Sequence, residues 1–208
     1  MRLKLPIVTL SVAAAALVAH VLPGAAAWLQ FDRGAITGGE VWRWLTGHVT
    51  HFGANHLGWD AGVFLALGTV CERESPRRVA VALLAAAVAI PAALWWWQPQ
   101  FQLYRGLSGL DCALGGLLAA SLLQHRAALP KVAGALTLVF VGAKCAYEAG
   151  TASTIFAAGA GYVPVPLAHL VGLVTGALAA LVGNTRQTTI QRDPVAGGHT
   201  VSHRRAAC

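Results

Sequence analysis

Six apolar stretches, each close to the length a helix needs to cross a hydrocarbon core of roughly 30 Å, leave this chain few folds to choose from. They cover residues 5–29, 54–71, 79–97, 107–123, 132–148 and 164–182. Hydrophobic residues make up 56% of the 208 and charged residues only 11%, which places the chain among all-α, polytopic membrane proteins. No soluble domain fits between the stretches: the longest connections, residues 30–53 and 149–163, are loops. The polar segment from Asn184 onward lacks the apolar residues to build a core. The expected organisation is a six-helix membrane domain over residues 1–183 and a polar, disordered cytoplasmic tail over residues 184–208.

The net charge of +7 does not indicate nucleic acid, because a nucleic-acid binder gathers its basic residues on one face or arm. Here they are dispersed among short loops, and their distribution gives orientation instead. With the N-terminus inside, eleven Lys and Arg fall on the cytoplasmic side, Arg73, Arg77 and Arg126 among them. Only four, Arg33, Arg43, Arg105 and Lys144, fall on the outer side. Both termini are therefore expected in the cytoplasm. Trp42, Trp44 and the run Trp95-Trp96-Trp97 fall at outer boundaries, where amphipathic rings settle. Arg2, Lys4, an apolar run and Gly24-Ala25-Ala26-Ala27 also fit a cleaved signal peptide, although the run from Leu5 to Pro23 is long for one. The cysteines Cys71, Cys112, Cys145 and Cys208 are too scattered for a disulfide framework and read as unpaired.

The stretch Tyr104-Arg105-Gly106-Leu107-Ser108-Gly109 places a serine between glycines where the fourth apolar run begins. A hydroxyl becomes a competent nucleophile only with a base beside it and donors for an oxyanion. Gly106 and Gly109 permit close backbone approach, and a helix start offers unpaired N–H groups. The plainer meaning of the same residues is a tight helix contact. His51 stands just before the second run, which carries His56 and Asp60, four apart and so on one helical face. The sixth carries His169, its only ionisable residue, with Gly172 and Gly176 on the same face. The fourth has a matching strip in Gly109, Ala113, Gly116 and Ala120, so these two helices should touch. Ionisable groups at membrane depth are functional candidates by default, although His48 reads equally as an interfacial side chain bonded to a loop. In the orientation above, Ser108, His56 and His169 lie within about five residues of the outer starts of their helices and share a layer roughly 8 Å deep.

These motifs resemble the rhomboid intramembrane serine proteases. The resemblance spans nearly the whole chain and rests on Trp42-Arg43, on His51, His56 and Asp60 at their spacing, on Gly106-Leu107-Ser108-Gly109, and on Ala168-His169 followed by Gly172 and Gly176. It implies a six-transmembrane-helix, rhomboid-like bundle in which Ser108 is the nucleophile and His169 the general base, a dyad with no acid. The oxyanion hole would combine His56, Asp60 and the Ser108 backbone N–H, with His51, Gly106, Gly109 and Gly172 supporting the site or binding substrate. Neither a metal nor a cofactor is implied. The small size and the Tyr104–Gly109 sequence look most like the rhombosortase branch. That implies a bacterial inner-membrane endopeptidase cutting transmembrane proteins near the outer face, among them proteins with a glycine-rich C-terminal anchor. Two positions depart from the pattern. Asp60 stands where the family usually has asparagine and would have to be protonated to donate. Cys112 stands where a tyrosine or histidine commonly packs against the base. Asp111 is expected to pair with Lys144. The competing functions are a rhomboid-like pseudoenzyme that binds membrane clients, and a transporter or metal handler with His48, His51, His56, Asp60 and His169 as ligands.

Overall fold

The computed structural model describes residues 5–156 and 163–182. The expected tail over residues 184–208, with Arg186, Arg192 and Cys208, lies outside the described residues, as do Arg2 and Lys4.

The first apolar stretch is not one helix. α1 covers Ile7–Val21 and ends at Leu22; Pro23 then withholds the N–H another turn would need, and Gly24 takes a φ of +77. α2 restarts over Ala25–Leu29. The connection that follows is folded rather than loose. β1 (Phe31–Asp32) leads into α3 (Arg33–Thr37), whose first turn is capped by the Asp32 carboxylate accepting from the Ala35 N–H at 3.0 Å. α4 (Arg43–Thr46) and a 3-10 turn over Gly47–Val49 complete it. Next come α5 (Ala54–Glu74) and α6 (Pro76–Trp97), the latter opened by Pro76 and capped by Ser75, whose hydroxyl accepts from the Arg78 N–H. β2 (Leu103–Tyr104), α7 (Ser108–Leu123), α8 (Ala128–Thr151) and α9 (Pro166–Ala179) follow.

β2 pairs antiparallel with β1, Phe31 opposite Tyr104, so the segment before Ser108 is stitched to the connection after α2. Arginines reinforce the stitching, Arg33 and Arg43 by satisfying carbonyls that a helix end would leave unpaired. Arg33 donates to the last carbonyls of α6, Leu94 at 3.0 Å and Trp95 at 3.2 Å, with its guanidinium 4.5 Å from the centre of the Trp95 ring. Arg43 donates to the Ala27 carbonyl at 2.7 Å and to Glu40 at 2.6 Å. Arg105 donates to Gln30 Oε1 at 2.7 Å and to the His51 carbonyl at 3.3 Å.

α1 runs against the far end of α5. Buried Glu72 accepts from the Val8 N–H, the Thr9 N–H and the Thr9 hydroxyl at 2.9, 2.8 and 2.7 Å, supplying acceptors to an otherwise orphaned first turn. α7 is buried on nearly every side and carries no polar stripe, as a central helix should. It lies parallel to α9 in backbone contact. A methyl group on Gly172 would strike the Gly109 carbonyl, one on Gly176 the Ala113 carbonyl, and one on Gly116 the Leu173 carbonyl. The expected contact between the fourth and sixth apolar stretches is thus present. By length and composition, α6 and α8 are the two helices among the described residues that could each cross a membrane; α1, α7 and α9 are shorter apolar helices.

Candidate active site

Gly106 turns the chain into α7 at a φ of +127, and a Cβ there would sit 3.0 Å from His56 Nε2 and 3.1 Å from Asp60 Oδ2. Only glycine suits both the conformation and the space. The next residue is fixed by its backbone, the Leu107 N–H donating to Asp60 Oδ2 at 3.0 Å. Ser108 then opens the helix. No side chain caps α7, so the N–H groups of its first turn, that of Ser108 included, are not consumed by a cap. From α9, whose glycines admit α7 so closely, His169 places Nε2 3.0 Å from Ser108 Oγ. The two groups that lie sixty-one residues apart in the chain are within hydrogen-bond reach.

The far side of the imidazole is also engaged. His169 Nδ1 lies 3.0 Å from Glu148 Oε2 and 3.2 Å from Lys144 Nζ. Lys144 in turn donates to both Glu148 oxygens, at 2.7 and 2.8 Å. This corrects two expectations. The pair does have an acid beside it, and Lys144 is turned toward Glu148, one helical turn away, instead of toward Asp111. Asp111 is buried in α7 with Oδ1 lacking a hydrogen-bond partner. Two opposite charges four residues apart on an otherwise apolar helix were the available signal. The rule that intramembrane charges face the interior, applied to His169, applies equally to Glu148.

Asp60 is met as an acceptor, not as the donor expected of it. Besides the Leu107 N–H, its Oδ2 has His51 Nε2 and His56 Nε2 each at 3.2 Å. Oδ2 is thus held as an acceptor by the loop before Ser108, and as a carboxylate Asp60 would repel an oxyanion instead of stabilising it. Burial lowers the pKa of His51, in the connection before α5, below 6.5, against the opposing pull of Asp60. His48 is buried too, with Nε2 3.2 Å from the Ala87 carbonyl and its ring edge-on to Tyr104 at 5.6 Å. It anchors the 3-10 turn to α6. Among the described residues no three His, Cys, Asp or Glu side chains converge on a point that could hold a metal ion.

A cavity of about 590 Å³ adjoins Ser108 and His169. Its wall is largely apolar, drawn from Trp59 and Val63 of α5, Phe140 of α8, and Phe156 just beyond α8. Phe156 bridges α5 to α8, its ring centre 5.6 Å from that of Trp59 and 6.2 Å from that of Phe140. A serine hydroxyl and an imidazole at the wall of such a cavity can meet an apolar polypeptide segment away from bulk water.

A comparison with protein-family models matches residues 38–186 to the rhomboid domain. A comparison with curated proteins finds no match. Rhomboid-family proteins are generally intramembrane serine proteases acting on transmembrane substrates. The matched span covers most of the chain and takes in His51, His56, Asp60, Ser108, Glu148 and His169, and the chain belongs to the rhomboid family.

Proposed function

We propose that this protein is an intramembrane serine endopeptidase in which Ser108 attacks the scissile carbonyl and His169 takes its proton. The observation that carries this is the 3.0 Å approach of His169 Nε2 to Ser108 Oγ beside an apolar cavity. The developing oxyanion is met by the uncapped N–H groups at the start of α7, that of Ser108 first among them. His56 lines the cavity with Nε2 3.2 Å from Asp60 Oδ2, and Asp60 also anchors the loop before Ser108. Gly106, Gly109 and Gly172 act by letting backbone approach, and His51 by holding Asp60.

The six apolar stretches support six membrane crossings with both termini cytoplasmic and Ser108 toward the outer face of a bacterial inner membrane. The Tyr104–Gly109 sequence supports the rhombosortase branch, with substrates that carry a glycine-rich C-terminal anchor. The test is coexpression with a reporter carrying such an anchor. The parent protein releases the shortened reporter, and Ser108→Ala and His169→Ala do not, although both accumulate in the membrane. Equal cleavage by Ser108→Ala contradicts the assignment.

A further inference from the structure

His169 Nδ1 has two neighbours of opposite character, and they favour different tautomers. Glu148 Oε2, at 3.0 Å, can only accept; Lys144 Nζ, at 3.2 Å, can only donate. If Nδ1 carries the proton it donates to Glu148, and Nε2 presents a lone pair to the Ser108 hydroxyl. If Nδ1 instead accepted from Lys144, Nε2 would carry a proton and could not take the serine's. The ammonium is already directed at the carboxylate, 2.7 and 2.8 Å from its two oxygens, which favours the first arrangement. Glu148 is only 2% exposed, and a carboxylate is kept at such depth only when paired. The side chains that engage Nδ1 of the imidazole both come from α8.

We infer that Glu148 is a positioning residue that completes a Ser108–His169–Glu148 triad, with Lys144 as the counter-ion that aims its carboxylate. This rests on the assignment of Ser108 as nucleophile. As the Ser108 Oγ bond to the scissile carbon forms, the hydroxyl proton passes to His169 Nε2 and the carbonyl π pair moves onto oxygen. Glu148 accepts the Nδ1–H throughout and is not itself protonated; its charge offsets the imidazolium. Collapse breaks the C–N bond, and the Nε2 proton leaves on the amine. Water then adds to the acyl carbon, giving a proton to Nε2 that returns to Ser108 Oγ as the acid departs. The balance is one peptide bond and one water for one acid and one amine.

The test uses the full-length protein in detergent, read by fluorophosphonate labelling rate, by steady-state cleavage and by the ¹⁵N shifts of labelled His169. In the parent, His169 carries its proton on Nδ1. Glu148→Gln lowers kcat and the labelling rate by roughly 10²–10⁴-fold with KM within about threefold, and moves the His169 proton toward Nε2. Glu148→Asp, which restores the charge, recovers at least about tenfold of that loss. A Glu148→Gln protein that labels within about threefold of the parent, with its His169 tautomer unchanged, overturns the proposal. Should Glu148→Gln fail to fold, the parent's own tautomer decides: a proton on Nε2 at rest overturns the assignment, and one on Nδ1 supports it. A parent that takes no fluorophosphonate removes the protease function instead, while the ¹⁵N shifts still decide for or against the Glu148 hydrogen bond.

Discussion

One oxygen of Asp60 gathers the Leu107 N–H and two imidazole nitrogens, and this fixes what substitution there should do. Asp60→Asn keeps the size but loses the charge those donors face, so it should cost roughly 1–3 kcal/mol of stability. The alkaline side of its pH–rate profile should match the parent's. A thermal melt and a pH series check both, and a variant as stable as the parent with a changed alkaline limb would return Asp60 to the oxyanion hole. His48 supplies a second prediction. Burial lowers its pKa from 6.5 to about 4, so the folded protein favours the neutral ring more than the unfolded chain does. Stability from this group is full above 6.5 and is lost as pH falls toward 4, up to roughly 3 kcal/mol in all. His48→Gln, which keeps a donor for the Ala87 carbonyl but does not titrate, should flatten that part of the melting-temperature profile. Ser108 and His169 were legible in the sequence because polar groups are scarce in apolar runs. Glu148 was not, because a charge at the end of such a run looks like its boundary, and only the fold shows that it points inward.

The α7–α9 contact is the element on which the geometry depends, since it carries Ser108 and His169 on opposite partners. Gly172 has no room for a methyl group against the Gly109 carbonyl. Gly172→Ala must push the two backbones apart, at a cost of typically 1–3 kcal/mol. The same displacement lengthens the 3.0 Å Ser108–His169 approach. The variant should therefore melt earlier and label with fluorophosphonate more slowly; parent-like values for both would contradict the close packing. This contact could be read from the two small-residue strips, because their spacing is local in sequence. The folded connection between α2 and α5 could not. Its order comes from partners far along the chain, Arg33 with the end of α6, Arg105 with Gln30, and β1 with β2, and no local pattern announces them. The break at Pro23 and Gly24 was visible as residues but was outweighed by the apolar run around it.

Across the whole molecule, the orientation that six crossings and an eleven-to-four charge bias support has a direct check. Cys71, Cys112 and Cys145 are buried, so in a Cys208→Ser background a single Val41→Cys substitution gives one exposed thiol in the connection after α2. A membrane-impermeant maleimide applied to the outer face should label it, whereas one added after Cys208 should react only from the cytoplasmic side; the reverse pattern would invert the topology. Rhomboid-family membership could be read from the motifs because His56 and Asp60, Ser108, and His169 each stand near the start of a different apolar run, a coincidence that packing alone does not require. The extra arm of charge behind the base could not be, since it exists only once α8 is laid against α9. The central claim is that Ser108 is an activated serine, and fluorophosphonate labelling of the purified protein in chelator tests it most directly. The account predicts one adduct, located on Ser108 by mass spectrometry, absent in Ser108→Ala and severely slowed in His169→Ala. Absence of labelling in a folded parent protein, or an adduct that survives Ser108→Ala, would contradict it.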